Sequence, residues 1–226
     1  MTFGKIDYLN LLPFHVFLKS YPLQGSVKKG IEFRKNVPSV LCKDLYYRRI
    51  DAAVISSIES RRAKYDKLNM GIISKGPVKS VLVRKNSTKK LDSASMTSNM
   101  LSKVLGLEGE VIIGDNALKA YLKEGGTDEF YDMGEIWNKK TNLPFVFAVF
   151  CLIGSKNSYR KVVKKFLKTK VKIPQYILKS YADSRGIKKD KILWYLKYIE
   201  YNISYKEQKA LKLYLKKARM LNFNPN

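Results

Sequence analysis

Polar side chains suited to touching a small molecule gather at three places in this sequence. Asn10 interrupts the apolar stretch "FGKIDYLNLLPFHVFL", where a strand pattern gives way to a helix pattern. Ser56 and Ser57 end the short apolar run "DAAVISS", and Thr97 and Ser98 stand before an apolar helical run that stops at Gly106. Amides and hydroxyls orient a ligand and stabilise developing charge through hydrogen bonds, but they supply no strong base. No His–Asp pair, paired carboxylates or metal-ligand spacing accompanies them. His15 is the single histidine and lies on the apolar face of "LLPFHVFL", which suits a structural or pocket-lining role. Cys42 and Cys151 are far apart in apolar surroundings and read as buried reduced thiols. Asn, Ser and Thr also cap helices, so Asn10 either caps the helix after it or faces a ligand, and Thr97 and Ser98 suit both jobs.

The elements that must position these residues follow from hydrophobic period. "FGKIDYL" reads as a strand, "LLPFHVFLKSY" as a helix, "IEFRKN" as a strand, "PSVLCKDLYYRR" as a helix and "DAAVISS" as a buried strand. This βαβαβ rhythm predicts a parallel sheet with right-handed crossovers, in which ligands bind beyond the carboxyl ends of the strands. Asn10, Ser56 and Ser57 fall at such ends. "SVLVRK" and "EVIIGD" read as further strands, "NALKAYLKEGG" as a helix capped by Asp115 or Asn116, "MGEIWNKKT" as a short helix and "LPFVFAVFCLIG" as a buried strand. The remainder, from about Lys156, reads as helices broken near Pro174, Gly186 and Asn202. We therefore expect an α/β protein of two lobes, residues 1–83 with 153–226 and residues 84–152. "SVLVRK" and "FVFAVFCL" would carry the chain out and back, with a ligand cleft between the lobes, as in the type II periplasmic-binding-protein-like fold.

Composition narrows the function classes. The chain has 226 residues, 45% of them hydrophobic, enough for a real core. No apolar run reaches the roughly 18–20 residues of a membrane span. The N-terminal stretch, interrupted by Lys5 and Asp7, lacks a signal-peptide pattern, so the expected location is cytoplasmic. A net charge of +25 favours anionic partners. The basic, Tyr-rich C-terminal third suggests nucleic acid at first sight, but Leu211, Tyr214, Leu215 and Ala218 recur at helical spacing, so its lysines form the wet face of an amphipathic helix.

Six segments in order, over roughly residues 5–150, resemble the chorismate dehydratases of the futalosine route to menaquinone. They are "YLNLLPF", "DAAVISSIE", "GPVKSVLV", "MTSNML", "GDNALKAY" and "DMGEIWNKKTNLPFVFA". Leu11, Arg49, Asn142 and Phe150 depart from the family pattern, and the C-terminal helices match only in general character.

The resemblance implies loss of water from chorismate, a dianionic small molecule, without metal or cofactor. Helix N-termini after Asn10 and near Thr97–Ser98 would receive the two carboxylates. Ser56, Ser57 and Ser80 would add hydroxyls, and Phe147 would line the pocket. On the same footing, the substrate's own enolpyruvyl carboxylate would take the ring proton, with Asn10 and Ser80 as catalytic residues that orient it and stabilise charge. Neither nucleic acid nor membrane is expected as a partner, and the oligomeric state stays open. The rivals are the related 1,4-dihydroxy-6-naphthoate synthase, whose chemistry would call on His15, and a non-catalytic solute-binding protein.

Overall fold

The computed structural model describes residues 2–154 and 157–221. Strand β1 (Phe3–Ile6) leads through a 3-10 turn at Leu9–Leu11 into α1 (Leu12–Ser20). Pro13 sits in the first turn of α1, where its missing N–H has no helical partner to lose. Then follow α2 (Gly25–Phe33), β2 (Lys35–Asn36), α3 (Pro38–Tyr46), β3 (Ala52–Ser56) and β4 (Asp66–Ser74). The middle of the chain forms β5 (Val81–Arg84), α4 (Met96–Leu105), β6 (Glu110–Ile113), α5 (Gly114–Lys123), β7 (Phe130–Asp132) and α6 (Met133–Thr141). Strand β8 (Phe145–Leu152) returns, and α7 (Asn157–Leu167), α8 (Gln175–Arg185), α9 (Lys189–Leu196), β9 (Glu200–Asn202) and α10 (Tyr205–Met220) finish the chain. Lys156, from which the C-terminal helices were expected, lies outside the described residues. No helix among the described residues is long and apolar enough to cross a membrane.

Two sheets organise these elements. One has six strands in the order β2-β1-β3-β8-β4-β9, the other three in the order β6-β5-β7. β1 pairs in parallel with β2 and β3, as the opening rhythm predicts. β8 runs antiparallel between β3 and β4, so the large sheet is mixed. The expected crossing strands are corrected here. "SVLVRK" contains β5, the centre of the small sheet, while "FVFAVFCL" is β8, deep in the large one. The chain changes sheets at 75–80 and again at 142–144. The reason is burial: all eight residues of β8 are buried, which only a position between two strands, covered on both faces, can satisfy.

Two further expectations change. The strand read at "IEFRKN" is mostly the end of α2, which meets the core through buried Ile31 and partly buried Val27, and only Lys35 and Asn36 pair with β1. β4 is a strand that hydrophobic alternation does not predict, because polar Asp66, Lys67 and Asn69 and two register shifts break its pattern.

The core runs from the large sheet into the helices. Phe14 meets Phe3 and Phe150 edge-on at 5.8 and 6.2 Å and Phe166 of α7 at 4.9 Å. Each fully buried ring of this size contributes roughly 1.5–3 kcal/mol. On the other side, Phe145 of β8 packs edge-on against Trp137 of α6 and Tyr214 of α10. Helix α10 buries Glu207, Ala210, Tyr214 and Ala218 and leaves Lys206, Lys209, Lys212, Lys216 and Lys217 in water, the amphipathic arrangement its period predicts.

Candidate active site

At the carboxyl end of β3 the chain meets the start of α4. Ser57 donates its N–H to the Phe147 carbonyl at 3.0 Å, and its hydroxyl lies 3.4 Å from that of Thr97. The Thr97 hydroxyl also accepts the Ile58 N–H at 3.2 Å, and its carbonyl accepts the Tyr214 hydroxyl at 3.0 Å. The structure therefore brings Ser57, Thr97 and Phe147 together, with Ser56 adjoining them in β3 opposite Ala148. Thr97 and Ser98 do not cap α4. Ser95 does, accepting the Ser98 N–H at 3.2 Å, and its hydroxyl sits 2.9 Å from that of Ser98. Ser95 precedes the first helical residue, which gives it the extended backbone a cap requires.

Asn10 occupies the middle of the 3-10 turn. Neither that turn nor α1 begins with a side-chain cap, so Asn10 is not a capping residue. Its side-chain oxygen is shielded from solvent and has no hydrogen-bond partner among the described residues. Leaving a buried acceptor unpaired costs about 1–3 kcal/mol, a cost that a donor on a ligand removes. The Asn10 carbonyl, by contrast, is fixed by the Tyr201 hydroxyl at 2.7 Å.

Ser80 follows the Gly-Pro turn that enters the small sheet. Lys79 before it takes a left-handed backbone, φ 62°, an uncommon state for a residue with a side chain. Asp132 holds that turn in place. Its carboxylate accepts the N–H groups of Val78 and Lys79 while capping α6 through those of Gly134 and Glu135. Burial raises the Asp132 carboxyl above its ordinary value, offset in part by these backbone donors and by Lys79. The Ser80 hydroxyl lies 2.8 Å from that of Tyr195, and its carbonyl accepts the Gly114 N–H at 2.8 Å. Gly114 has φ 65°, and a side chain there would stand 2.9 Å from the Tyr8 ring. Only glycine admits both the backbone and the contact.

Asn10 and Ser80 are thus linked through neighbours. Tyr8, two residues before Asn10, packs on Gly114, which holds Ser80. Tyr195 is buried and Tyr201 half-buried, and the proximity of Tyr195 adds to the desolvation that pushes the Tyr201 phenol upward. Asp115 completes the junction. It was expected to cap α5, yet Ile113 occupies that position and Asp115 lies one residue inside the helix. One of its oxygens accepts the Leu9 N–H and the other Arg185 Nε, each at 2.9 Å. Burial raises this carboxyl, and Leu9 and Arg185 draw it back.

Sequence reasoning missed Tyr195, Tyr201, Asp132 and Arg185. The tyrosines register in the sequence only as apolar-face residues. Asp132 offered a signal, an Asp before the helical run "MGEIW". His15 lies apart from the cluster, lining a cavity of about 470 Å3 with Leu18, Ile31 and Phe33. Cys42 and Cys151 are free and buried.

The comparisons agree with this architecture. A family model described as menaquinone biosynthesis matches residues 1–110 and 105–220. The chorismate dehydratase of Campylobacter jejuni subsp. jejuni serotype O:23/36 (strain 81-176) is 52% identical over 223 residues, 98% of this chain and 99% of that protein. A solved protein of Archaeoglobus fulgidus superposes with a TM-score of 0.72 at 13% identity, covering 98% of this chain and 97% of its own. A Candida albicans gene product with the generic periplasmic binding protein fold gives 0.56 at 15% identity, covering 100% and 92%. The alkanesulfonate-binding protein of Xanthomonas axonopodis pv. citri gives 0.54 at 12%, covering 100% and 93%. The fold is therefore periplasmic-binding-protein-like, and with the family model matched on both halves and a relative this similar along its whole length, the chain belongs to the menaquinone biosynthesis family.

Proposed function

We propose that this protein is a chorismate dehydratase, removing water from chorismate to give 3-[(1-carboxyvinyl)oxy]benzoate. The observation that carries the reading is the 52% identity, over nearly the full length, to the Campylobacter enzyme of that name. The unpaired Asn10 side-chain oxygen supports it, because a buried acceptor in the turn beyond the carboxyl end of β1 fits a ligand-facing role. In this reading the enolpyruvyl carboxylate removes the proton from the ring carbon bearing the ether. The electron pair of that C–H bond becomes ring π-bond, and the neighbouring carbon loses its hydroxyl; proton and hydroxide leave as one water. Aromatisation supplies the driving force, so the protein's task is orientation and charge stabilisation. Asn10 and Ser80 serve as the catalytic residues, and Ser56, Ser57, Thr97, Ser98 and Phe147 surround the dianionic substrate. Ser98 contributes from a first turn that Ser95 already caps. The reaction runs in the cytoplasm, without nucleic acid or membrane as partner.

The test is incubation of purified protein with chorismate, followed by liquid chromatography and mass spectrometry. The expected result is an aromatic product one water lighter than chorismate, absent with heat-killed protein. Unchanged chorismate in the presence of folded protein would overturn the reading. A chorismate analogue with its enolpyruvyl carboxylate esterified should stay inert, and normal turnover of that ester would sink the substrate-assisted step.

A further inference from the structure

The C-terminal segment, where the sequence patterns were least specific, supplies the partner of Ser80. Tyr195 lies in α9, is 1% exposed, and places its hydroxyl 2.8 Å from Ser80 Oγ across 115 residues of chain. Either hydroxyl has the geometry to donate, but the surroundings decide between them. Ser80 Oγ is the one partner of the Tyr195 hydroxyl among the described hydrogen bonds. A buried phenol keeps its proton and must donate it, since an unpaired buried donor costs about 1–3 kcal/mol. If Ser80 donated instead, the phenol proton would have no acceptor among the described residues. Ser80 therefore accepts, and its own proton is left for a second acceptor. Within the protein the candidate is the Val78 carbonyl at 3.4 Å, a long and weak contact. A hydroxyl that accepts one hydrogen bond also becomes a better donor in the next.

We infer that Tyr195 is a positioning residue that fixes Ser80 as a hydrogen-bond donor aimed at the departing hydroxyl of the substrate. The inference rests on the dehydratase reading above. Tyr201 stands in a similar relation to Asn10, holding its carbonyl at 2.7 Å, so α9 and β9 each brace one of the two catalytic residues.

A double-mutant cycle on the full chain separates this from simple core filling. Tyr195→Phe keeps the ring and removes the donor. We expect its kcat for chorismate to fall about 10- to 100-fold while KM changes less than about 3-fold. In a Ser80→Ala background the same substitution should change the remaining kcat by less than about 2-fold, because no serine is left to orient. Tyr195→Met removes the same hydroxyl from a flexible apolar side chain and takes the place of the phenylalanine variant if that one does not fold. A kcat within about 2-fold of the parent, or an equal loss with and without Ser80, would overturn the inference. Parent protein that fails to turn over chorismate would overturn the dehydratase reading instead, so the two failures are distinct.

Discussion

Asp115 and Arg185 meet with Nε 2.9 Å from one carboxylate oxygen, while the other oxygen accepts the backbone N–H of Leu9. Arg185 also donates to the Asp7 carbonyl at 2.9 Å. One carboxylate on α5 thus ties the small-sheet unit to both the β1–α1 connection and α8. Both side chains are largely buried, at 17% and 15% exposure, so this is not a surface ion pair of negligible worth. Arg185→Ala should lower unfolding stability by roughly 2–4 kcal/mol in urea titrations, because it leaves a buried carboxylate underpaired. Because the contact also fixes the turn that carries Asn10, KM for chorismate should rise about 10-fold with a smaller change in kcat. Unchanged stability and KM would mean that the contact is dispensable.

Asn10→Ala should separate activity from stability. The side-chain oxygen has no partner among the described residues to lose, so urea unfolding should move by less than about 1 kcal/mol. Turnover of chorismate should drop at least about 100-fold if that oxygen is used on the substrate. The opposite pattern, full activity with lost stability, would return Asn10 to a structural role.

Asp132→Ala should be among the most damaging substitutions. It removes the acceptor for four backbone N–H groups, those of Val78, Lys79, Gly134 and Glu135. Loss of a helix cap alone costs about 0.5–2 kcal/mol, and the stranded Val78 and Lys79 donors bring the expected total to roughly 3–5 kcal/mol. Thermal unfolding measures it. Asp132→Asn, which keeps one oxygen, should retain part of the stability.

His15 gives the protein a pH dependence with a definite sign. Burial holds its imidazole pKa well below the ordinary value, and Lys5, Lys19, Lys35 and Arg185 add to the effect. The unfolded chain takes up a proton near pH 6.5 while the folded one resists it, so stability is present above about 6.5 and declines as pH falls below it. His15→Leu removes a ring whose two nitrogens have no hydrogen-bond partner among the described residues. Its midpoint of unfolding should be higher by the equivalent of about 1 kcal/mol at pH 7, and its profile should be flatter between pH 6.5 and 5. A parallel pH profile for parent and variant would refute this assignment.

Much of the layout was legible because burial writes itself into composition. β8 is an unbroken apolar run, and the strand–helix alternation before it gave β1, α1, α3 and β3 in order. The rule that ligands meet the carboxyl ends of strands makes Asn10, Ser56 and Ser57 candidates, and the structure places Ser56 at the end of β3 and Asn10 in the turn that follows β1. What stayed hidden depends on contacts distant in sequence. Asp115 reads as a cap until Leu9 and Arg185 arrive beside it from 106 and 70 residues away. Tyr195, Tyr201 and Tyr214 fit their helices and strand as apolar bulk, and period alone says nothing of where a hydroxyl ends. Ser95, and not Thr97, caps α4, a distinction that local pattern does not make because it locates a helix start only to within a few residues.

The insertion of β8 between β3 and β4 has a consequence for how the chain is made. Synthesis delivers β3 and β4 long before Phe145–Leu152 leaves the ribosome, so two strands wait with open edges on either side of an empty slot. Unpaired edges of this kind invite pairing with other chains. A nascent chain halted before residue 145 should therefore need chaperone protection or aggregate, whereas one halted after Leu152 has the strand that closes the gap. The same long-range closure sets a high contact order for the centre of the sheet, so refolding should be slow and limited by the docking of β8.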